Sequence, residues 1–123
     1  REKRANSVPR ITLKVGAAKL AKCCLKSGWL FKKVHFVKQK RFFTLHQGWK
    51  VLYYFIHDRS INAQGYINLR GGCKVARDSH DAKSFTIYDA IKDRLFYLSA
   101  NSGDEVVMWV RTLQVVIVNS RFE

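Results

Sequence analysis

The stretch SGDEVVMWVRTL, residues 102–113, decides the fold. Ser102 is followed three residues later by Glu105, which is the capping box of a helix N-terminus. In that box the Ser hydroxyl caps the third helical N–H, while the Glu side chain bonds back to the cap. Beyond it, the apolar residues that recur at helical spacing are Val106, Trp109, Val110, Leu113, Val116 and Ile117. The pattern predicts one amphipathic helix over 103–118, with Trp109 on its buried face.

The chain before this helix predicts a series of short strands. Segments rich in Val, Ile, Tyr, Phe and Trp recur there, separated by Gly, Asn, Asp or Ser, which is the pattern of strands and turns. We place the strands at 25–34, 37–46, 49–57, 64–70, 72–78, 84–89 and 93–100. Short strands at such regular spacing are typical of an antiparallel sandwich or barrel. The predicted fold class is therefore mainly β, with seven antiparallel strands and one C-terminal helix.

The first 24 residues are basic and carry weaker signals. Residues 1–10 are polar, contain the single proline and predict a flexible arm. In a helix over 11–24, an apolar stripe would form from Leu13, Ala17, Leu20 and Cys24. Two interpretations stay open for this extra N-terminal helix. It packs its stripe against the domain, or it lies as a basic amphipathic helix on a membrane surface.

Positive charge is concentrated in the first half of the chain. Residues 1–57 hold 14 Lys/Arg and one acidic residue, whereas residues 58–123 hold nine Lys/Arg and eight acidic residues. The first half thus carries +13 of the formal net charge of +14. A surplus confined to one contiguous stretch indicates a polyanionic partner, such as an anionic membrane, an acidic protein or a nucleic acid.

Catalysis and metal binding have little support in this sequence. It lacks nucleotide-binding, hydrolase and zinc-protease motifs, and its histidines lack metal-ligand spacing. We therefore expect neither an enzyme nor a bound cofactor. No run of 18 apolar residues predicts a membrane span. The three cysteines, Cys23, Cys24 and Cys73, form no disulfide framework. We expect reduced cysteines in an intracellular protein, with S-acylation of the Cys23–Cys24 pair as the alternative.

Six strings follow one another in the order and spacing of a known family. They are GWLFKK (28–33), KRFFTL (40–45), VLYYF (51–55), GYINL (65–69), RLFYLSA (94–100) and DEVVMWVRTL (104–113). Together they resemble the pleckstrin homology (PH) domain over residues 25–118. The resemblance divides the chain into a basic N-terminal part, 1–24, and a PH-like domain, 25–120. It implies a strongly bent sandwich that the C-terminal helix closes at one end.

The resemblance also implies a ligand site between the first two strands and their turn. In phosphoinositide-binding members a Lys follows the G-W-L-x string, and a basic-x-Arg triplet precedes the aromatic pair of the second strand. A Tyr of the third strand completes the pattern. Here these positions hold Lys32, the triplet Gln39-Lys40-Arg41, and Tyr54. Gln39 departs from the pattern because it supplies no charge, which leaves the phosphate clamp incomplete.

The first hairpin mixes cations with apolar residues, as suits a membrane interface. The candidate headgroup-binding residues are Lys32, Lys33, Lys38, Lys40, Arg41 and Tyr54, and the candidates for membrane insertion are Phe36 and Val37. In the alternative interpretation, Phe36 or Val37 points into the core, and Lys38 and Lys40 belong to a solvated face.

These observations predict a non-catalytic, monomeric module that recruits its protein to membranes. It would bind a phosphoinositide or phosphatidic acid at the cytosolic face of a membrane, as a cytoplasmic, peripheral signalling domain. A protein-interaction module whose basic face meets an acidic partner is the alternative. A nucleic-acid binder fits less well, because no RNA-recognition signature or exposed stacking platform is evident.

Overall fold

The computed structural model of the protein describes residues 11–120, so the predicted arm over 1–10 lies outside the described residues. The elements are, in chain order, α1 (Ala17–Ala21), β1 (Lys26–Val34), β2 (Val37–His46), β3 (Val51–Phe55), β4 (Gly65–Asn68), β5 (Lys74–Arg77), β6 (Ser84–Asp89), β7 (Arg94–Ser99) and α2 (Gly103–Ser120). All seven predicted strands and the C-terminal helix are present. The prediction of a mainly β fold with seven antiparallel strands is confirmed.

The strands form one antiparallel sheet that bends back on itself. Its strand order is β4-β3-β2-β1-β7-β6-β5, and β1 joins the two halves by pairing with both β2 and β7. The edge strand β4 reaches β6 of the other half, where the Asn68 backbone N–H donates to the Asp89 carboxylate over 2.8 Å. Asp89 is fully buried. This contact therefore lies inside the molecule, and the sheet forms a bent sandwich.

Helix α2 packs against β5 and β6 with the face that its sequence pattern predicted. All six apolar residues of that face are buried in the main core, which also holds Leu30, Phe43 and Phe85. Ser102 caps the helix, because its hydroxyl accepts the Glu105 backbone N–H at 3.2 Å. The same hydroxyl lies 3.5 Å from a Glu105 carboxylate oxygen. In the structure, therefore, the two side chains contact each other directly.

A second apolar cluster lies on the opposite face of β2 and β3. Its buried members are Phe42, Val51, Tyr53, Phe55 and Ala63, together with Ala17 and Leu20 of the N-terminal segment. The main core covers one face of β3 and this segment covers the other. As a result, all five β3 residues are buried.

The N-terminal helix is much shorter than the sequence pattern predicted. Helix α1 has five residues, with Gly16 as its N-cap and Lys22 as its C-cap, so Leu13 and Cys24 lie outside it. Glycine disfavours helical backbone, which accounts for the late start at Gly16. Ala17 and Leu20 are buried against the domain. The interpretation of residues 11–24 as an amphipathic helix on a membrane surface is therefore wrong.

Candidate functional site

The β1–β2 hairpin determines which cations share a face of the sheet. Its register pairs Lys32 with Gln39, and Leu30 with Arg41. Directly paired residues point to the same side of a sheet, and successive residues of a strand alternate. Leu30 is buried in the main core, so Lys32, Gln39 and Arg41 lie on the inner face with it.

The other predicted cations of the hairpin lie on its outer face. Lys33 pairs with Lys38, and Lys40 pairs with Phe31; the three lysines are exposed. Lys40 Nζ lies 5.1 Å from the centroid of the Trp29 ring. Because Lys38 pairs with Lys33, it lies on the outer face and does not supply the charge that Gln39 lacks on the inner face. The structure thus divides the predicted headgroup residues into an inner set (Lys32, Arg41, Tyr54) and an outer set (Lys33, Lys38, Lys40).

A two-residue turn, His35-Phe36, joins the two strands of the hairpin. Both residues have positive φ, 50° and 69°, which is the geometry of a type I′ turn. Phe36 is 94% exposed and Val37 is 58% exposed, so the interpretation that placed one of them in the core is wrong. Lys33 Nζ lies 5.8 Å from the centroid of the Phe36 ring. The hairpin tip therefore carries an exposed aromatic ring beside a cation.

Lys32 is the buried cation of the inner set. Its side chain is 6% exposed, and Nζ lies 5.0 Å from the centroid of the Tyr54 ring. Burial lowers the pKa of Lys32, and the neighbouring charges of Arg94 and Arg41 lower it further. A buried cation whose charged neighbours are also cations is unfavourable in the absence of an anion. Such a group is a binding-site candidate on physical grounds.

Arg94 belongs to this inner set, although the sequence analysis did not single it out. It begins β7, and the alternate residues Phe96 and Leu98 are buried in the main core, with Leu98 paired to Lys32. Its guanidinium carbon lies 4.4 Å from the centroid of the Phe96 ring. The alternation along β7 could have assigned this face from the sequence. The approach to Lys32 could not be foreseen, because it depends on the non-local pairing of β1 with β7.

Two hydrogen bonds hold the Arg41 guanidinium. Nε–H donates to Gln64 Oε1 at 2.7 Å, and Nη1 donates to the Lys40 carbonyl at 2.8 Å. Arginine has five N–H donors, so three remain for an anion. Gln64 lies in the β3–β4 loop, 23 positions along the chain. No signal in the sequence pointed to it, because it is uncharged and distant from the hairpin.

Tyr54 lies between the core and the cations of the inner set. Its ring centroid is 5.6 Å from that of Phe43 and 6.4 Å from that of Phe96. Burial raises the pKa of Tyr54, and the charges of Arg94 and Arg41 partly oppose that rise. The hydroxyl lies over Gly65, where a Cβ would stand only 2.3 Å from it. The missing side chain of Gly65 therefore makes room for the Tyr54 ring.

We call the inner set, now Lys32, Arg41, Tyr54 and Arg94, the basic mouth. It lies away from α2: Lys26, at the start of β1, has its Nζ 4.9 Å from the centroid of the Trp109 ring, whereas Lys32 lies six residues further along the strand. Its ammonium, guanidinium and hydroxyl groups can donate several hydrogen bonds to one anion. Within residues 11–120, no group of three His, Cys, Asp or Glu residues could hold a metal ion. No helix of this part of the chain is long and apolar enough to cross a membrane.

The sequence model of the PH domain matches residues 24–118 of this chain. The chain belongs to the PH-domain family. Three solved PH domains have folds similar to this one. The PH domain of human oxysterol binding protein-related protein 11 is 26% identical, with a TM-score of 0.69, and the match covers 77% of this chain and 81% of that chain.

The other two solved PH domains are of similar identity. The C-terminal PH domain of pleckstrin, in complex with D-myo-Ins(1,2,3,4,5)P5, is 26% identical with a TM-score of 0.66, and the match covers 75% of this chain and 96% of that chain. The PH domain of the human KIAA0053 protein is 28% identical with a TM-score of 0.62, covering 76% of this chain and 88% of that chain. These matches agree with the fold described above.

Proposed function

We propose that this PH domain recruits its protein to membranes by binding the headgroup of an anionic phospholipid in the basic mouth. The observation that carries the proposal is the meeting of Lys32, Arg41 and Arg94 on the inner face, with Lys32 almost completely buried. Like charges held close together in a partly desolvated site raise the free energy of the ligand-free protein. A phosphate group bound among them would offset that cost.

The ligand we propose carries a phosphate monoester, as a phosphoinositide or phosphatidic acid does. The solved complex of the pleckstrin domain with an inositol pentakisphosphate supports a phosphorylated headgroup for this chain as well. Gln39 leaves one position of the family pattern without charge. Arg94 lies close enough to Lys32 to lower its pKa. We expect Arg94 to contact the phosphate that a cation at position 39 would have bound.

The outer set and the hairpin tip would face the membrane around the bound headgroup. Each Lys near an anionic leaflet contributes on the order of 1 kcal/mol, so Lys33, Lys38 and Lys40 together contribute roughly 3 kcal/mol. That alone corresponds to a dissociation constant above a millimolar. Phe36 adds apolar contact at the headgroup–acyl boundary. Useful residence at the cytosolic face therefore depends on the basic mouth, and the domain acts as a peripheral, non-catalytic module.

Vesicles of matched net charge test the proposal. They would carry phosphatidic acid, phosphatidylserine or one phosphoinositide at a time, and binding would be measured by co-sedimentation. We expect a preference for a phosphomonoester lipid over phosphatidylserine. Arg41→Ala should weaken that binding roughly 10- to 100-fold, because charge-assisted hydrogen bonds to phosphate are lost.

Lys40→Ala is the matched control, since it removes the same charge from the neighbouring residue on the outer face. We expect it to weaken binding about fivefold or less. If the chain bound all acidic lipids equally, and if Arg41→Ala and Lys40→Ala weakened binding equally, the basic residues would act only as a patch of positive charge and not as a headgroup-binding site. If no vesicle bound while an acidic peptide or an oligonucleotide did, the membrane function would be replaced by one of those alternatives.

A further inference from the structure

We propose that the N-terminal segment, residues 11–21, positions Arg41 for headgroup binding by holding the β3–β4 loop in place. The inference rests on the proposed function of the basic mouth. The segment lies outside the residues that match the PH-domain family, 24–118. It nevertheless packs against the domain, because Ala17 and Leu20 are buried in the second apolar cluster.

The segment fastens the loop of residues 56–64, which joins β3 to β4, at two points. The Ala17 backbone N–H donates to the Ser60 carbonyl at 2.8 Å, and the Ala63 backbone N–H donates to the Leu13 carbonyl at 2.8 Å. The Ala63 side chain is buried in the second apolar cluster. Ser60 and Ala63, both in the second half of the loop, are thus hydrogen-bonded to the N-terminal segment.

A third contact ties the same segment to β3. The Tyr53 hydroxyl donates to the Thr12 carbonyl at 2.9 Å, and the Tyr53 ring is itself buried. Tyr53 precedes Tyr54, whose ring lines the basic mouth. The segment therefore contacts the strand that carries a residue of the mouth as well as the loop beside it.

The last residue of the loop connects these contacts to Arg41. Gln64 follows Ala63 directly, its backbone N–H donates to the Tyr54 carbonyl at 2.9 Å, and its Oε1 accepts the Arg41 Nε–H at 2.7 Å. An unbroken series of contacts runs from Leu13 through Ala63 and Gln64 to the guanidinium. Holding Gln64 in place before the headgroup binds also restrains the Arg41 side chain. Arg41 therefore loses less entropy when it binds the headgroup.

Two variants of the full chain test whether the segment positions Arg41 or only covers an apolar face. Leu20→Ala loosens the segment by removing a buried side chain from the second apolar cluster. Leu113→Ala is the matched control, because it makes the same substitution in α2, within the main core. We expect both to lower the midpoint of thermal unfolding. At a temperature where both are folded, only Leu20→Ala should weaken binding to phosphatidylcholine vesicles that carry phosphatidic acid or a phosphatidylinositol monophosphate, roughly three- to tenfold.

A third variant, Gln64→Met, removes the acceptor of Arg41 and keeps the length of the side chain. Gln64 is exposed, so we expect unchanged thermal stability and the same three- to tenfold loss of vesicle binding. The direct readout is the NMR signal of the Arg41 Nε–Hε group in the protein without lipid. It should shift in Leu20→Ala and in Gln64→Met, and stay unchanged in Leu113→Ala.

The two proposals fail in different ways. If the unaltered chain bound no vesicle, the membrane function would be refuted, and the Arg41 signal would still decide whether the segment positions this side chain. If the unaltered chain bound vesicles but Leu20→Ala and Gln64→Met bound as tightly, the positioning role would be refuted alone. The positioning role would also be refuted if the Arg41 signal stayed unchanged in Leu20→Ala, or if it shifted equally in Leu113→Ala.

Discussion

Gly65 makes room for the Tyr54 hydroxyl, so a single methyl group at this position should disturb the basic mouth. In Gly65→Ala the new Cβ would stand 2.3 Å from that hydroxyl, and the buried ring would have to move. We expect the free energy of unfolding to fall by about 1–3 kcal/mol, the usual cost of overpacking, and vesicle binding to weaken with it. Urea unfolding measures the change in the free energy of unfolding, and co-sedimentation measures the change in vesicle binding. Gly48→Ala is the control, because nothing lies within 4 Å of its Cβ position; an equal loss there would contradict this explanation.

His46 gives the stability of the domain a defined dependence on pH. The residue is 6% exposed, its Nε2 lies 2.8 Å from the Thr44 hydroxyl, and its ring lies against Trp49 and Tyr53. Burial lowers the pKa of His46 below its ordinary 6.5, so the unfolded chain takes up the proton first as the pH falls. The contribution of the neutral ring to stability is therefore complete above pH 6.5 and is lost as the pH falls from there toward the lower folded pKa.

The prediction for His46 is tested by comparing free energies of unfolding at pH 7 and pH 5. His46→Gln should show a smaller decrease between the two than the unaltered chain does, because it has no ring to protonate. His57→Gln, at an exposed position, should keep the full decrease. If His46→Gln kept it as well, groups other than His46 would account for the pH dependence.

The residues of the mouth were predictable where a local pattern marked them and not elsewhere. Lys32, Arg41 and Tyr54 were found because they stand in strings that resemble the PH pattern, and the structure brings them to one face. Arg94 and Gln64 come to the same place through pairings that join distant parts of the chain. A period of two gives the face of a residue. The same period does not predict which strand will pair with the strand that carries the residue.

At the scale of elements, the His35-Phe36 turn uses residues that its backbone disfavours. Type I′ turns prefer Asn-Gly because both residues have positive φ, and His and Phe pay for this conformation with strain. Replacing both, as His35→Asn with Phe36→Gly, should raise the free energy of unfolding by about 1–2 kcal/mol. The same change should weaken vesicle binding, because the exposed ring at the tip is lost.

His35→Asn alone separates the two effects of the hairpin variant. It relieves strain at one position and keeps Phe36, so we expect a smaller gain in stability and unchanged vesicle binding. Urea unfolding and co-sedimentation measure both quantities on the same samples. Unchanged binding in the double variant would show that Phe36 does not contact the membrane, and a loss of stability would show that the native turn is unstrained.

The strands and α2 were predictable because their signals are local, whereas the role of the N-terminal segment was not. The capping box and the helical spacing after Ser102 lie within one stretch, and each strand shows its own cluster of β-forming residues. The packing of the N-terminal segment over Phe42 and Phe55 depends instead on contacts between distant residues. One is the hydrogen bond between Tyr53 and Thr12, which lie 41 positions apart. The apolar pattern predicted a helix over 11–24, and this prediction underestimated how strongly Gly16 limits the helix.

For the molecule as a whole, the length of β1 separates the hairpin tip from the cysteine pair Cys23–Cys24. The strand has nine residues, so at about 3.3 Å per residue its ends are roughly 26 Å apart. Cys23 and Cys24 precede its first residue, Lys26, whose Nζ lies 4.9 Å from the centroid of the Trp109 ring of α2, and the hairpin tip follows its last residue. An acyl chain on this cysteine pair would draw the end opposite to the tip toward a membrane. S-acylation would therefore compete with binding through the mouth.

A charge-matched pair of variants tests whether the position of a cation matters or only the net charge of +14. Lys32→Met and Lys22→Met each remove one positive charge, the first in the mouth and the second on the exposed C-cap of α1. Long-range attraction to an anionic membrane depends on the overall charge, so both variants should lose that small part equally. Lys32→Met should in addition lose its contact with the headgroup, for a total of roughly 10- to 100-fold in vesicle binding.

In Lys32→Met, stability should change in the opposite direction to binding. Burial and the charges of Arg94 and Arg41 lower the pKa of Lys32, which means that its charged form is disfavoured in the folded protein at neutral pH. Lys32→Met should therefore raise the free energy of unfolding by about 0.5–2 kcal/mol, as removal of an unfavourable functional group often does, while Lys22→Met leaves it unchanged. Urea unfolding and co-sedimentation on the same two proteins measure both effects. A Lys32→Met protein that is more stable but binds vesicles roughly 10- to 100-fold more weakly is the outcome expected if Lys32 serves the ligand and not the fold. Equal losses of binding in Lys32→Met and Lys22→Met would show that net charge alone attracts this domain to a membrane.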